Sequence, residues 1–355
     1  MQIIKELEFL RVISFICIVL QHILGSYSKE DISYSYSIYI SIIFCACKFA
    51  VPTFFFITGF LFFIKDYHSF NYINFLKKKF IVILLPYLIF SIIFANYKSI
   101  NIFMPDFIKI LLSCNISYHT WYIQTLTIFF LTMPIWSYIF KLLNNFEYKF
   151  AFFIIFLYGI FIYAIFQNAS KFGVLETIIT TKATINPIYY SSYLLLGGIV
   201  GTNYSKLNLS KIIKYIIVLF ILSFIYSMYI SISVSERAGL NKINLLFFAT
   251  IAVRTYLLSI SQILLLLHFS KYLFNNKLFS SIIFFIGSQS YIAYLYHVLV
   301  IDNLFAFYNK LNINLSYFNK YFIIFILTSV ISILIGFIFN KLYFKFISVL
   351  KNRFN

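Results

Sequence analysis

The sequence predicts an all-α, polytopic integral membrane helix bundle of about ten transmembrane helices, with both termini in the cytoplasm. Of the 355 residues, 62% are hydrophobic and only 11% are charged. An ordinary soluble domain has about 25% charged residues, so a polar surface cannot cover this chain. The hydrophobic residues also fall into runs that are long enough to cross a bilayer. No loop between these runs is long enough to fold alone, so we assign residues 1–355 to one membrane-embedded domain.

Ten apolar runs account for the predicted helices. The first covers residues 9–27, and at a rise of about 1.5 Å per residue it reaches across the hydrocarbon layer. The second covers 36–64 and contains Pro52, near which we expect a break or a kink. The others, of which the fourth in this list is rich in glycine, cover residues 80–97, 118–140, 150–167, 186–204, 212–233, 244–268, 281–304 and 321–346.

The lysines and arginines between the runs indicate the orientation. Loops on the side of the N-terminus hold more of these residues than the opposite loops do, and such loops usually lie in the cytoplasm. Three consecutive lysines, at 77–79, form the strongest cluster, and we interpret them first as a topology anchor. This distribution explains the net charge of +18 without nucleic acid as a partner.

The patterns of several enzyme classes are missing from the sequence. Its four cysteines form no CxxC pair and lie mainly in apolar runs, so we predict small core residues and no metal site. There is no phosphate-binding loop and no glycine-rich dinucleotide-binding pattern. We therefore expect neither a reaction driven by ATP bound to this chain nor a tightly bound cofactor.

The first run carries two ionisable residues that a simple membrane anchor does not need, Arg11 and His22. Eleven positions separate them, so they differ by only about 20° around a helix. Ser14, Gln21 and Gly25 fall on the same side. Ionisable residues inside a span usually face the bundle interior and are candidates for function. The alternative is that Arg11 reaches the lipid headgroups and His22 is a structural polar residue of the interior.

Three further ionisable residues, Lys48, Arg254 and His297, lie within the runs or at their ends. None of the deep cations has an obvious carboxylate partner within the membrane, and Asp302 is the nearest candidate. An interior that is positive and poor in acids suits an anionic ligand, such as the phosphates of a coenzyme or of a lipid-linked sugar. It argues against a cation channel and against a proton relay made of carboxylates.

The ninth run places Ser290, Tyr294 and His297 on one helical face. His22 and His297 lie at similar predicted depths, in the outer half of the bilayer, so they could form a base and its partner. A neutral imidazole can take the proton of a hydroxyl that attacks a thioester, and an arginine or tyrosine could stabilise the oxyanion. The alternative for His297 is a hydrogen bond between helices with no role in chemistry.

Five short motifs, in order along the chain, resemble those of one family. Arg11 and His22 have the spacing of a pair in the first helix of that family, and VPTFFFITGFLFF ends the second run with Thr58 in place of a serine. The other matches are Pro86 and Tyr87 after a basic stretch, Trp121 and Tyr122 in HTWYIQTL, and Ser290, Tyr291, Tyr294, Leu295 and His297 in the ninth run. The motifs span nearly the whole chain. The sequence resembles the acyltransferase-3 family of membrane-bound acyltransferases, and within it the intercellular-adhesin type of polysaccharide acyltransferase or export protein.

This resemblance implies an activity and roles for residues. It implies transfer of an acyl group, acetyl or succinyl, from acyl-CoA to a hydroxyl of a cell-surface or lipid-linked glycan, at the bacterial plasma membrane. His22 would be the general base, and Arg11 would contact the acyl donor. Supporting or substrate-binding side chains are expected at His297, Ser290, Tyr294, Arg254, Lys48 and Trp121. The lysines at 77–79 depart from an arginine-rich family pattern, and lysine lacks the bidentate fork that arginine offers to phosphate.

The sequence is also compatible with two other functions. One is a polysaccharide exporter or a translocator of lipid-linked sugar, although no inverted repeat and no pair of broken helices is visible. The other is a membrane scaffold without catalysis, for which His22 would be dispensable. An enzyme should lose activity in His22→Ala while it stays folded, whereas a transporter should tolerate that change better.

Overall fold

Apolar helices form nearly all of the structure. The structure is a computed structural model, and it describes residues 5–27, 33–64, 70–168, 186–245, 252–274, 276–311 and 316–354. No strand occurs in these ranges. The α-helices, in chain order, are α1 (Lys5–Tyr27), α2 (Tyr34–Ala46), α3 (Ala50–Ile64), α4 (Tyr72–Lys79), α5 (Leu85–Tyr97), α6 (Pro105–Leu112), α7 (Trp121–Leu131), α8 (Met133–Leu143), α9 (Tyr148–Gln167), α10 (Pro187–Thr202), α11 (Ile213–Arg237), α12 (Val253–Leu273), α13 (Lys277–Leu311) and α14 (Tyr317–Phe354), and a π-helical turn, Phe80–Leu84, joins α4 to α5. The all-α prediction is confirmed.

The helices of the described part include eight candidate membrane spans, or nine if the bent pair of α7 and α8 counts as one span. A polytopic membrane bundle is therefore confirmed, with a count close to the ten expected. The predicted fourth run, 118–140, falls on α7 and α8, which are bent by 67° at their junction. Residues 246–251 of the eighth run, 244–268, lie outside the described residues.

The sixth predicted run forms a helix that is shorter than expected. Helix α10 has 16 residues, which reach only about 24 Å against a hydrocarbon layer of about 30 Å. Asparagines limit both ends, because the Asn186 side chain caps the first turn and Asn203 follows the last. Instead of facing lipid, α10 packs against α3 and α9 inside the bundle.

Glycines allow α3 and α10 to approach backbone to backbone. A Cβ atom at Gly59 would collide with the carbonyl oxygen of Leu194, and one at Gly197 would collide with that of Phe56. Small residues at helix contacts are typical of membrane bundles, where close packing rather than exclusion of water holds helices together. Helix α1 lies at the centre of the bundle and packs against α3, α12, α13 and α14.

The second run is divided into α2 and α3 by a break at residues 47–49. Pro52 lies in the first turn of α3, where a missing backbone N–H costs little, so the chain breaks just before it, close to where we expected. Side chains of α1 and α12 bind carbonyl oxygens at this break: Gln21 Nε2 donates to Cys47 (2.6 Å), and Gln262 Nε2 donates to Ala46 (2.9 Å). The break is therefore a fixed part of the bundle.

Candidate active site

Three histidines from three parts of the chain meet near one end of α1. His22 lies on α1, His297 on α13, and His119 in the segment that precedes α7. Their ring centroids are separated by 5.1 Å (His22 and His297), 4.9 Å (His119 and His297) and 6.5 Å (His22 and His119). The structure thus brings His22 and His297 together and adds His119, which our sequence analysis did not single out.

His297 offers a buried basic nitrogen without a partner. Its side chain is fully buried, and its Nδ1 lies 2.5 Å from the backbone carbonyl oxygen of Tyr294. Because a carbonyl oxygen only accepts, Nδ1 carries the proton and Nε2 of the neutral ring is left as an acceptor. Among the residues that the structure describes, nothing forms a hydrogen bond with this Nε2. An unmet acceptor in the bundle interior is costly and marks a position for a transient donor.

His119, by contrast, has both ring nitrogens occupied. Its Nε2 donates to the carbonyl oxygen of Leu295 (3.1 Å), so its Nδ1 accepts from the Ser117 hydroxyl (2.9 Å). Burial holds the pKa of His119 well below its usual value, and the neighbouring His297 and His22 lower it further. At neutral pH His119 is therefore an uncharged structural ring that packs against the other two histidines.

Tyr294 connects His119 to His297. Its hydroxyl donates a hydrogen bond to the backbone carbonyl oxygen of His119, and its own carbonyl oxygen accepts the Nδ1 proton of His297. The helical periodicity that placed Ser290, Tyr294 and His297 on one face of the ninth run agrees with α13. The hydroxyl of Ser290 donates a hydrogen bond to the backbone carbonyl oxygen of Gly287 on the same helix (2.8 Å).

A larger cavity, of about 610 Å³, extends from Tyr294 toward the beginning of α1. Its cationic lining residues are Arg11, Lys78 and Lys79, and Ser290 also lines it. Two of the three lysines interpreted above as a topology anchor therefore also face a cavity. Arg11 and His22 are separated by about 16 Å along α1, so the arginine lies well away from the histidines.

Arg11 has a carboxylate partner, contrary to our expectation for the deep cations. Glu8 lies one turn earlier on α1, and its Oε1 is 2.5 Å from Arg11 Nη1. Gly287 on α13 makes room for this pair, since a Cβ atom there would collide with the Glu8 carboxylate. Glu8 stands one residue before the predicted start of the first run, which is why the pair was missed. Asp302, the carboxylate that we considered, pairs with Lys98 instead (3.1 Å).

A smaller cavity, of about 300 Å³, is also lined by Tyr294. His22, Lys48, His119 and Trp121 line it. The remaining polar or aromatic lining residues are Gln21, Tyr163, Tyr189, Tyr190, Thr255 and Ser259. Of the described lining residues, Tyr294 is the one that the two cavities share.

The predicted site residues thus divide into groups. Arg11 and Ser290 line the larger cavity; His22, Lys48 and Trp121 line the smaller one; Tyr294 lies between them, with His297 against His22. Arg254 is half-buried on α12 and is not among the lining residues of either cavity. Within the described ranges, no group of three or more His, Cys, Asp or Glu side chains is placed to hold a metal ion.

Comparison with known protein families identifies the chain. A family model described as an acyltransferase domain matches residues 4–341, which is nearly the whole sequence. No curated protein and no solved structure matches the chain. A match of this extent covers all the elements that form the two cavities and the histidine cluster, so the chain belongs to the acyltransferase-3 family of membrane acyltransferases.

Proposed function

We propose that this acyltransferase moves an acyl group, acetyl or succinyl, from cytoplasmic acyl-CoA to a hydroxyl of a cell-surface or lipid-linked glycan. The observation that carries the proposal is the position of the His22–His297 pair next to Tyr294, which lies between two cavities. A reaction between two substrates that approach from opposite sides needs such an arrangement, with a base at the meeting point.

The larger cavity is the proposed site for the donor. Arg11, Lys78 and Lys79 supply positive charge that favours a coenzyme bearing phosphates. Lysine binds phosphate as a point charge, so the departure from an arginine-rich pattern still permits this role. With both termini in the cytoplasm, as the lysine distribution predicts, this cavity faces the cytoplasmic acyl-CoA pool.

His22 is the proposed general base. Its imidazole takes the proton of the acceptor hydroxyl while the hydroxyl oxygen attacks the thioester carbonyl carbon. The C–S bond then breaks, the coenzyme sulfur leaves, and the imidazolium returns the proton to it. The products are an ester of the glycan and free coenzyme A, with no net change in proton count.

His297 is the proposed partner that stabilises His22 in its charged form. An imidazolium has two N–H donors, and only one can face the reacting oxygen. The unpartnered Nε2 of His297 lies in the adjoining ring. It can accept a hydrogen bond from the second N–H of the His22 imidazolium after a small rotation of the His22 side chain. His297 is in turn oriented by its Nδ1 bond to Tyr294.

The test is the base-labile acyl content of surface glycans in a strain that lacks this gene. Complementation with wild-type protein should restore the esters, whereas His22→Ala, at equal membrane abundance, should not. His268→Ala is a matched control, because His268 is a buried histidine of α12 that lines neither cavity. If acylation is the same in all strains and glycan accumulates inside the deletion strain, the alternative function of polysaccharide export is correct and the assignment of His22 is wrong.

A further inference from the structure

The smaller cavity contains a cation that the acyl-transfer chemistry does not use. Lys48 is its one Lys or Arg among the described lining residues, and no Asp or Glu lines it there. None of the ion pairs of the described part includes Lys48. Its ammonium group instead lies 4.0 Å from the centroid of the Phe44 ring. A cation at membrane depth without a carboxylate is costly, which favours an anionic ligand as its partner.

The position of Lys48 is fixed by the break between α2 and α3. Side-chain amides of Gln21 and Gln262 bind the two carbonyl oxygens before it, and the Ser259 hydroxyl lies 3.5 Å from its own carbonyl oxygen. Three side chains from α1 and α12 therefore hold the backbone around this lysine. Gln21 precedes His22 on α1, so the same contact sets the lysine beside the proposed base.

Aromatic rings form another wall of the same cavity. Trp121 and Tyr190 are nearly parallel, with centroids 5.8 Å apart and an interplanar angle of 24°. Tyr189 and Tyr163 stack at 4.1 Å. Tyr190 is also stacked on Phe55 (4.4 Å), so half-buried Trp121 is the ring of this wall that can offer a flat, amphipathic face to a ligand, and Thr255 and Ser259 line the same cavity. This combination suits a sugar ring that packs on an aromatic face and carries polar substituents.

We infer that the smaller cavity selects an acidic acceptor, a pyranoside that carries a phosphate or a carboxylate, with the anion at Lys48 and the sugar ring against Trp121. The inference rests on the proposed function, because it names the substrate class of the same site. It adds that a neutral glycan without a nearby anion is a poor acceptor, since it would leave the Lys48 charge without an anionic partner.

The sequence offers a direct optical test. The chain has two tryptophans, Trp121 and Trp136, so Trp136→Phe leaves Trp121 in the cavity as the single tryptophan reporter. Full-length protein in neutral detergent is titrated with glucose 1-phosphate, methyl glucuronide, methyl glucoside, inorganic phosphate and short-chain phosphatidylglycerol. We expect at least one of the two acidic sugars to change Trp121 emission at a concentration about tenfold lower than methyl glucoside does, a preference that weakens with added salt.

Variants of Lys48 test whether this side chain causes the preference for acidic sugars over methyl glucoside. Lys48→Gln should remove it, and Lys48→Arg should retain part of it because the charge is kept. Lys271→Gln is the control, since Lys271 also lies over an aromatic ring, that of Tyr204, but lines neither cavity. If Lys48→Gln does not fold, the salt dependence of the preference in protein that keeps Lys48 serves as the test.

Several results would overturn the inference. Equal responses to acidic and neutral sugars, a preference that survives in Lys48→Gln, or one that is insensitive to salt would each exclude Lys48 as the recognition group. A response to inorganic phosphate or to phosphatidylglycerol equal to that of the acidic sugars would show binding of any anion or of a lipid headgroup. Because the titration needs neither donor nor turnover, it can succeed even if the glycan acyl test fails, and the two failures are distinguishable.

Discussion

The hydroxyl of Tyr294 donates a hydrogen bond to the backbone carbonyl oxygen of His119, across the contact between α13 and the segment before α7. This bond holds the irregular segment against the helix that carries His297. It also fixes the ring that lies between the two cavities. Tyr294 is therefore a positioning residue for the histidine cluster.

Tyr294→Phe should lower turnover with little loss of folded protein. The change removes one hydrogen bond, worth about 1 kcal/mol, and frees the His119 segment from α13. Tyr296→Phe is a matched control, because Tyr296 is also buried on α13 and its hydroxyl forms no hydrogen bond with the residues described. Acyl transfer and thermal unfolding should be measured for both. Equal activity of the two variants would contradict the positioning role.

Gly287→Ala should impair use of the acyl donor. A methyl group at this position collides with the Glu8 carboxylate, so the Glu8–Arg11 pair must shift away from α13, at a place where Gly287 and Arg11 both line the larger cavity. We expect a higher KM for acyl-CoA, with a smaller change in kcat, because the histidines are about 16 Å away along α1.

Gly25→Ala is the control for that experiment. Gly25 lies on the same helix as Arg11, and a Cβ atom there meets nothing within 4 Å. Alanine is a better helix former than glycine by up to about 1 kcal/mol, so this variant should be neutral or slightly more stable. A KM that is unchanged in Gly287→Ala would show that the Glu8–Arg11 pair has no part in donor binding.

Regular helices made much of the site predictable. The angle between Arg11 and His22 and the shared face of Ser290, Tyr294 and His297 follow from a period of 3.6 residues, and α1 and α13 are regular there. His119 lies outside any helix, so helical periodicity could not predict that it lies beside the other two histidines. Two weaker signals mark it in the sequence: it is one of only five histidines, and it is the first residue of the HTWYIQTL motif.

Other features depend on tertiary contacts that a single run of sequence does not contain. The inward position of Lys48 follows from a break that Gln21 and Gln262 stabilise from other helices. The apolar composition of α10 predicts a full span, whereas its burial depends on the close contact of Gly59 and Gly197 with their partner helices.

Gly197→Ala should destabilise the whole bundle. The added methyl group meets the backbone carbonyl of Phe56, and backbone cannot rotate away as a side chain can. Overpacking typically costs about 1–3 kcal/mol, and more where backbone must move. We expect a lower thermal unfolding temperature in detergent and less protein in the membrane, compared with Gly25→Ala. An unchanged unfolding temperature would mean that α3 and α10 can separate without cost.

The stability of the protein should fall as the pH decreases below about 6.5, in part because of His119. Burial and the facing rings of His22 and His297 keep the pKa of His119 well below its usual value, so this ring stays neutral in the folded state. The unfolded chain binds a proton near pH 6.5, and below that pH each unit can cost the folded state up to about 1.4 kcal/mol for one group.

His119→Asn keeps a polar side chain but cannot titrate, so its unfolding temperature should decrease less between pH 7 and pH 5 than that of the wild type. His268→Asn is the control and should keep more of the wild-type pH dependence, since His268 lies on α12 outside the cluster of His22, His119 and His297. Parallel pH profiles of the wild type and His119→Asn would mean that His119 does not contribute to acid destabilisation.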